Sequence, residues 1–243
     1  DGEDTVSGVE ILQFADIKVR VVGAGGYADL AEAVAAAGND DVISGSNNLI
    51  HLASSQGVTV VDAAYIADKS LSFNVTIDTL QDTVSNLSAA TLNMAASGYT
   101  RYDTITATGS GTVTMGASEL GGRALTLNGT FSVTGTISQV NSLDRATAIN
   151  QIDTLTVSDS SSNLGALSVS QINNLKSGSV SNLDARGVDA FVGDGDISLT
   201  RGEIAAFSTN ASSTLLTPNG DVTQIGTSSS DVLTAFTSTQ TGY

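Results

Sequence analysis

The chain of 243 residues predicts a mainly β protein, a parallel β-solenoid (β-helix-like) with short helical turns on one edge. A degenerate repeat carries this reading. An Asp opens a short strand at Asp41-Val42-Ile43, Asp103-Thr104-Ile105-Thr106, Asp153-Thr154-Leu155-Thr156 and Asp189-Ala190-Phe191-Val192. Partner strands follow at Val58-Thr59-Val60, Val113-Thr114-Met115, Leu167-Ser168-Val169 and Ile197-Ser198-Leu199. A helix-prone turn closes each unit at Ile66, Leu120, Ile172 and Ile204, and Leu175 and Phe207 prolong two of them. Composition agrees: Thr and Val favour pleated structure, Gly and Asn supply corners, and Pro218 is the one proline. Units too thin to bury an apolar face alone must stack on one another.

Taken in order, residues 1–22 read as a flanking segment leading into the solenoid. Residues 23–243 read as four degenerate repeats plus a truncated fifth, opened by Asp231-Val232-Leu233-Thr234. Ile17 to Val22 is a strand, followed by a glycine corner at Gly23-Ala24-Gly25-Gly26. Tyr27 to Val34 places apolar residues at helical spacing, Ala35 to Ala37 extend the helix, and Gly38-Asn39 stop it. Helices are also expected over 87–94, 140–149 and 183–186, and strands over 71–77, 125–127 and 131–133. The opening Asps lie 62, 50, 36 and 42 residues apart, so loops of unequal length are expected on a common frame. The Ser/Thr-rich stretch 208–217 is the best candidate for a joint; a longer loop between coils explains it equally well.

Charge narrows the function. With 25 acidic against 9 basic residues the net charge is −16, which repels phosphate backbones and anionic lipid. Nucleic-acid partners and direct membrane insertion are therefore not expected, and no run approaches the roughly 20 apolar residues of a membrane span. There is no cysteine, so disulfides and thiolate chemistry are excluded. The chain starts at Asp1 and shows no charged-then-apolar leader. A fragment, a processed product or a protein exported without an N-terminal signal is expected from this.

The opening segment, Asp-Gly-Glu-Asp-Thr-Val-Ser-Gly-Val-Glu-Ile-Leu-Gln-Phe-Ala-Asp over residues 1–16, resembles segments of the secreted repeats-in-toxin (RTX) proteins. There such segments lie beside glycine- and aspartate-rich calcium repeats. The calcium nonapeptide itself is absent; Gly193-Asp194-Gly195-Asp196 and the tail from Gly220 through Leu233 come nearest. The helix at 27–37 before Asp-Val-Ile resembles the entry of pectate-lyase-type β-helices. The wider pattern resembles the strand-rich repeats of large bacterial adhesins and surface-layer proteins exported by type I secretion. That resemblance implies a secreted, extracellular, cell-surface location.

Candidate sites follow from the acids. Calcium wants six to eight oxygens, which Asp, Asn, Gly carbonyls and Ser/Thr supply. The candidate calcium ligands are Asp194 and Asp196 first, then Asp1, Asp4 and Asp16, then Asp221 and Asp231. The competing reading makes all of them loop residues with solvated carboxylates. The recurrent opening Asps are read as corner residues that accept backbone N–H bonds. Catalysis is not expected. His51 is the one histidine, and Ser54, Ser55 and Asp62 lie near it without a nucleophile elbow. A lyase built on Asp194 and Asp196, or on Asn39-Asp40-Asp41, would need a cation nearby; for the first cluster only Arg186 and Arg201 are candidates.

The expected function is therefore structural and non-enzymatic: a surface-layer, filament or adhesin module that self-assembles into homo-oligomers or lattices, with calcium between acidic loops. A carbohydrate-active β-helix (a lyase, an epimerase or a module binding cell-surface polysaccharide) is the alternative. An inert spacer is a third. A sugar groove would need aligned aromatics, and Tyr99 and Tyr102 are the one close tyrosine pair.

Overall fold

The computed structural model describes residues 8–13, 17–23, 25–38, 47–52, 57–69, 71–96, 98–143, 152–177, 187–210 and 213–226. Strands in mainly parallel sheets, joined by short helices, make up the described chain, with no closed barrel among them. Contacts divide it into two compact units, Asp1–Val133 with Ser142–Asp153 and Thr134–Asn141 with Thr154–Tyr243.

In the first unit, β1 (Ile11–Gln13) runs antiparallel to β2 (Ile17–Val22). Helix α1 (Leu30–Gly38) follows, then β3 (Asn47–Leu52), α2 (Val60–Lys69) and β4 (Ser72–Phe73). β2, β3 and β4 are parallel neighbours. Next come β5 (Thr79–Thr83), α3 (Val84–Ala89), β6 (Thr104–Thr108), β7 (Thr112–Gly116), α4 (Ala117–Leu120) and β8 (Thr126–Asn128). β5, β6 and β8 form a parallel sheet with Leu80 beside Ile105 and Ile105 beside Leu127. β9 (Thr130–Gly135) and α5 (Ile137–Ser142) fall at the changeover between units.

The second unit continues with β10 (Thr154–Asp159), α6 (Ser161–Gly165), α7 (Val169–Ser177), β11 (Ala190–Gly193), β12 (Ile197–Thr200) and α8 (Arg201–Phe207). A short antiparallel pair, β13 (Ser208–Asn210) and β14 (Ser213–Thr214), precedes β15 (Leu216–Pro218) and β16 (Val222–Ile225). β10, β11 and β15 run parallel, and so do β12 and β16. Stretch 208–217 thus lies inside this unit rather than at a boundary.

Alternation explains why these segments are strands. In β10 Leu155 and Val157 are buried between exposed or half-buried Thr154, Thr156 and Ser158. Within a sheet the buried apolar residues line up, Leu80 with Ile105 and Leu127 in one and Val157 with Phe191 and Leu216 in another. Phe131, Ile105, Leu80, Phe191 and Leu199 are all fully buried. Tyr102 is also fully buried, and among the described residues its hydroxyl has no hydrogen-bond partner. Burial pushes its ionisation up to about 12. An unsatisfied buried hydroxyl costs on the order of 1–3 kcal/mol, so Tyr102→Phe is expected to raise the urea midpoint. A lowered midpoint would mean the hydroxyl has a partner in solution.

Several strand and helix boundaries differ from expectation, for one recurring reason. Val58-Thr59-Val60 is not a strand: Val58 makes a single bridge to Leu80, and Val60 already begins α2. Leu167-Ser168-Val169 likewise leads straight into α7. In both places a Thr or Ser takes the helix N-cap and its side chain competes with strand pairing. The helix expected over 87–94 lies earlier, at Val84–Ala89, because Thr83 caps it by accepting from the Asn86 N–H. The strand expected over 71–77 shrinks to Ser72–Phe73. The repeat starts Asp41-Val42-Ile43 and Asp231-Val232-Leu233-Thr234, and the helix at 183–186, lie outside the described residues.

Candidate functional site

The recurring chemistry of this fold is a carboxylate that joins one pass of the chain to another. Asp82 ends the interior row of β5, and its Oδ2 accepts the Val60 N–H at 3.1 Å, capping the start of α2. Its Oδ1 accepts from the Thr83 N–H and from Asn86 Nδ2, both at 2.7 Å. Asp159 repeats the arrangement in the second unit. Oδ2 accepts the Ile137 N–H at 2.9 Å, and Oδ1 accepts from Ser160 N–H and Asn163 Nδ2 at 2.8 and 2.7 Å. In both cases the bonded passes are 22 residues apart. Partial burial pushes the Asp159 carboxyl up, yet the donors from Asn163, Ile137 and Ser160 together outweigh it and hold the group below its ordinary value.

Asp194 is a third member of this set. Its Oδ1 accepts the Ser161 N–H, at the first residue of α6, at 2.8 Å. Ser161 is itself buried, and its Oγ donates to the Gly195 carbonyl at 2.7 Å and accepts from the Gly195 N–H at 2.9 Å. Two turns then stack. Gly193 pairs with Pro218 and Ile197 with Val222, so Asp194-Gly195-Asp196 lies beside Asn219-Gly220-Asp221. Asp196 Oδ1 accepts the Asp221 N–H at 2.8 Å, and the Ile197 N–H donates to the Asp221 carbonyl at 2.9 Å. A Cβ at Gly220 would overlap Asp196, so only glycine fits this approach. An open depression of about 390 Å³ beside the turns is lined by Ser161, Ser162, Gly165, Ala166, Asp196 and Ser198.

Of the seven acids picked out as calcium ligands, the fold brings Asp194, Asp196 and Asp221 to these adjoining turns, with all three side chains exposed. Asp1, Asp4, Asp16 and Asp231 lie outside the described residues. The oxygens gathered here (carboxylate, carbonyl and serine hydroxyl) are the hard donors calcium takes. Among the described residues, no group of three or more His, Cys, Asp or Glu is arranged to hold a metal ion.

Two of the opening Asps, Asp153 and Asp189, accept backbone N–H groups, but from a neighbouring pass. Asp153 Oδ2 accepts from Phe131 and Asp189 Oδ2 from Leu155, each at 2.8 Å. Asp103 instead accepts from the Thr104 hydroxyl at 3.1 Å. His51 is exposed on β3, while Asp62 is buried and bonded to Thr59 Oγ1 at 2.7 Å. Burial, with the charges of Asp29 and Asp82 behind it, pushes the Asp62 carboxyl up despite the Thr59 bonds. Ser54, Ser55, Asp40, Asp41 and Arg186 lie outside the described residues, and Arg201 is exposed at the start of α8. Tyr99 and Tyr102 meet edge to face at 6.3 Å, with Tyr102 fully buried, so the pair offers no flat stacking platform.

Two cations the sequence left unassigned act on carbonyls. Arg123 donates to the Met94, Tyr99 and Thr100 carbonyls at 3.0, 3.1 and 3.0 Å. Lys176 Nζ donates to the carbonyls of Ala206 and Ser208 at the end of α8. The local helix caps have a readable signal. A cap residue followed three positions later by Glu, Gln, Asn or Asp and then an aliphatic residue recurs at 59–63, 83–87, 116–120, 136–140, 160–164, 168–172 and 200–204. Three of these close reciprocally, Thr136 with Gln139, Ser168 with Gln171 and Thr200 with Glu203, each backbone N–H donating to the other's side-chain oxygen. No protein-family model, curated protein or solved structure matches the chain.

Proposed function

We propose that this chain is a non-catalytic, extracellular structural module built as a parallel β-solenoid, a piece of an RTX-related surface-layer or adhesin-type bacterial protein exported by type I secretion. Its work is to self-assemble laterally or end to end, with calcium drawn into acidic turns. The observation that carries this reading is the clamp set Asp82, Asp159 and Asp194. Each carboxylate caps a helix belonging to another pass of the chain, 22 or 33 residues away. Polar chemistry of this kind is spent on holding passes in register, which is what a scaffold requires.

Two further features support assembly. Among the described residues β16 has β12 on one side and no strand on the other, and Val222 and Ile225 on it are 38% and 46% exposed. A strand edge of this kind is a template for pairing with another chain. A net charge of −16 opposes such pairing until cations neutralise it. Among the described residues no helix is long and apolar enough to cross a membrane.

Light scattering and negative-stain microscopy of the purified chain, with calcium and with chelator, test the reading. Ordered sheets or fibres that form with calcium and dissolve with chelator are the expected result. Monodisperse particles in both conditions, together with turnover of a uronic-acid polymer, would replace it with the carbohydrate-active alternative.

A further inference from the structure

The sequence contains two Asn-Gly pairs, Asn128-Gly129 and Asn219-Gly220. Glycine has no Cβ to shield its nitrogen or to restrict its backbone, so this dipeptide cyclises most readily of the Asn pairs. In that reaction the glycine nitrogen attacks the Asn side-chain carbonyl carbon. A new C–N bond closes a succinimide and the side-chain amide leaves as ammonia. Water then opens the ring to Asp or its β-linked isomer. The net change is one amide and one water giving one carboxylate and one ammonium ion, with no oxidation or reduction.

The fold treats the two pairs differently. Asn128 ends β8 in register with Thr106, and its Nδ2 donates to Thr106 Oγ1 at 3.2 Å. That bond holds the side chain within the ladder. Asn219 sits in an exposed turn, tied through its backbone N–H to the Gly193 carbonyl at 2.9 Å. Among the described residues no hydrogen bond holds the Asn219 side chain or the Gly220 N–H. The amides of Asn74, Asn86 and Asn163 are by contrast bonded to Leu52, Asp82 and Asp159. The register also places Asn219 beside Asp194, as Asp221 lies beside Asp196.

We propose that Asn219 is a site of spontaneous deamidation, whose aspartate product completes a second Asp-Gly-Asp turn stacked on Asp194-Gly195-Asp196. The modification stands whether or not the chain assembles. It adds one negative charge to a place that already carries three carboxylates, so like-charge repulsion there increases unless a cation is bound.

The test is to age the full chain in mildly alkaline buffer at physiological temperature and follow the one-dalton mass gain by peptide mass spectrometry with fragmentation. A parallel sample is kept in denaturant. In the folded chain the gain should build up several-fold faster at Asn219 than at Asn128, while in denaturant the two should react at similar rates. Asn219→Gln should remove the gain at that position and leave Asn128 unchanged. Equal or faster reaction at Asn128 in the folded chain would overturn the proposal. A preference for Asn219 that persists unchanged in denaturant would overturn it too, because the fold would not be its cause.

Discussion

Phe191→Ala is expected to lower the unfolding free energy by about 4 kcal/mol, a large share of the roughly 5–15 kcal/mol typical of a domain. Phe191 stands in β11, fully buried, with its ring edge to face on Phe207 of α8 at 5.0 Å and 77°. Its backbone N–H donates to the Leu215 carbonyl at 2.8 Å, which fixes the strand beside its neighbour in the sheet. Truncation removes the aromatic contact and leaves a cavity that paired strands on either side cannot collapse to fill. Chemical denaturation followed by circular dichroism gives the loss directly, and the slope with denaturant should stay near its original value. Phe191→Leu keeps most of the volume and should cost about 1 kcal/mol. A loss under about 1 kcal/mol for the alanine variant would mean that the ring is not packed as described.

Asp159→Ala is expected to cost about 2 kcal/mol, since three N–H donors lose a charged acceptor at once. The half-exposed position keeps the figure at the lower end, because water replaces part of what is lost. The same carboxylate makes stability depend on pH. Its folded-state value lies below its ordinary one, so its contribution is present above the unfolded value of about 3.9 and is lost as pH falls through the folded value. Denaturation midpoints measured from neutral pH into this acid range should therefore fall more steeply for the native chain than for Asp159→Asn. Parallel curves would remove the clamp as a source of stability. Asp62 acts in the opposite direction: its raised carboxyl favours the folded state at low pH, and that stability is lost as pH rises through its folded value. Comparing Asp159→Asn with Asp62→Asn separates the two contributions.

The inward rows were legible because alternation has a period of two that survives degenerate spelling. Leu155 and Val157, Val113 and Met115, and Ile197 and Leu199 can be placed inside from their neighbours alone. The helical turns at Ile66, Leu120, Ile172 and Ile204 were legible for a similar reason: each lies in or beside a capped apolar pair. Register was not legible. Parallel neighbours such as Ile105 and Leu127, or Val157 and Phe191, are 22 and 34 residues apart in sequence, and no local signal encodes which distant strand comes alongside. The opening Asps show the consequence. Their taste for backbone N–H groups follows from their chemistry, but Asp153 finds its donor on Phe131, a residue belonging to another pass.

Composition and local preference can be read from the residues alone: small apolar rows, Ser/Thr caps, glycine corners, an excess of acids and the lack of thiols. Those properties depend on residues within a few positions of one another. Tertiary structure alone decided which acids meet. It set Asp194 on the start of α6, brought Asp196 against Asp221, and placed the Asn219 side chain beside Asp194 with no hydrogen bond among the described residues. The physical reason is that a hydrogen bond between passes depends on how two distant strands align, and that alignment is chosen by the joint burial of both apolar rows.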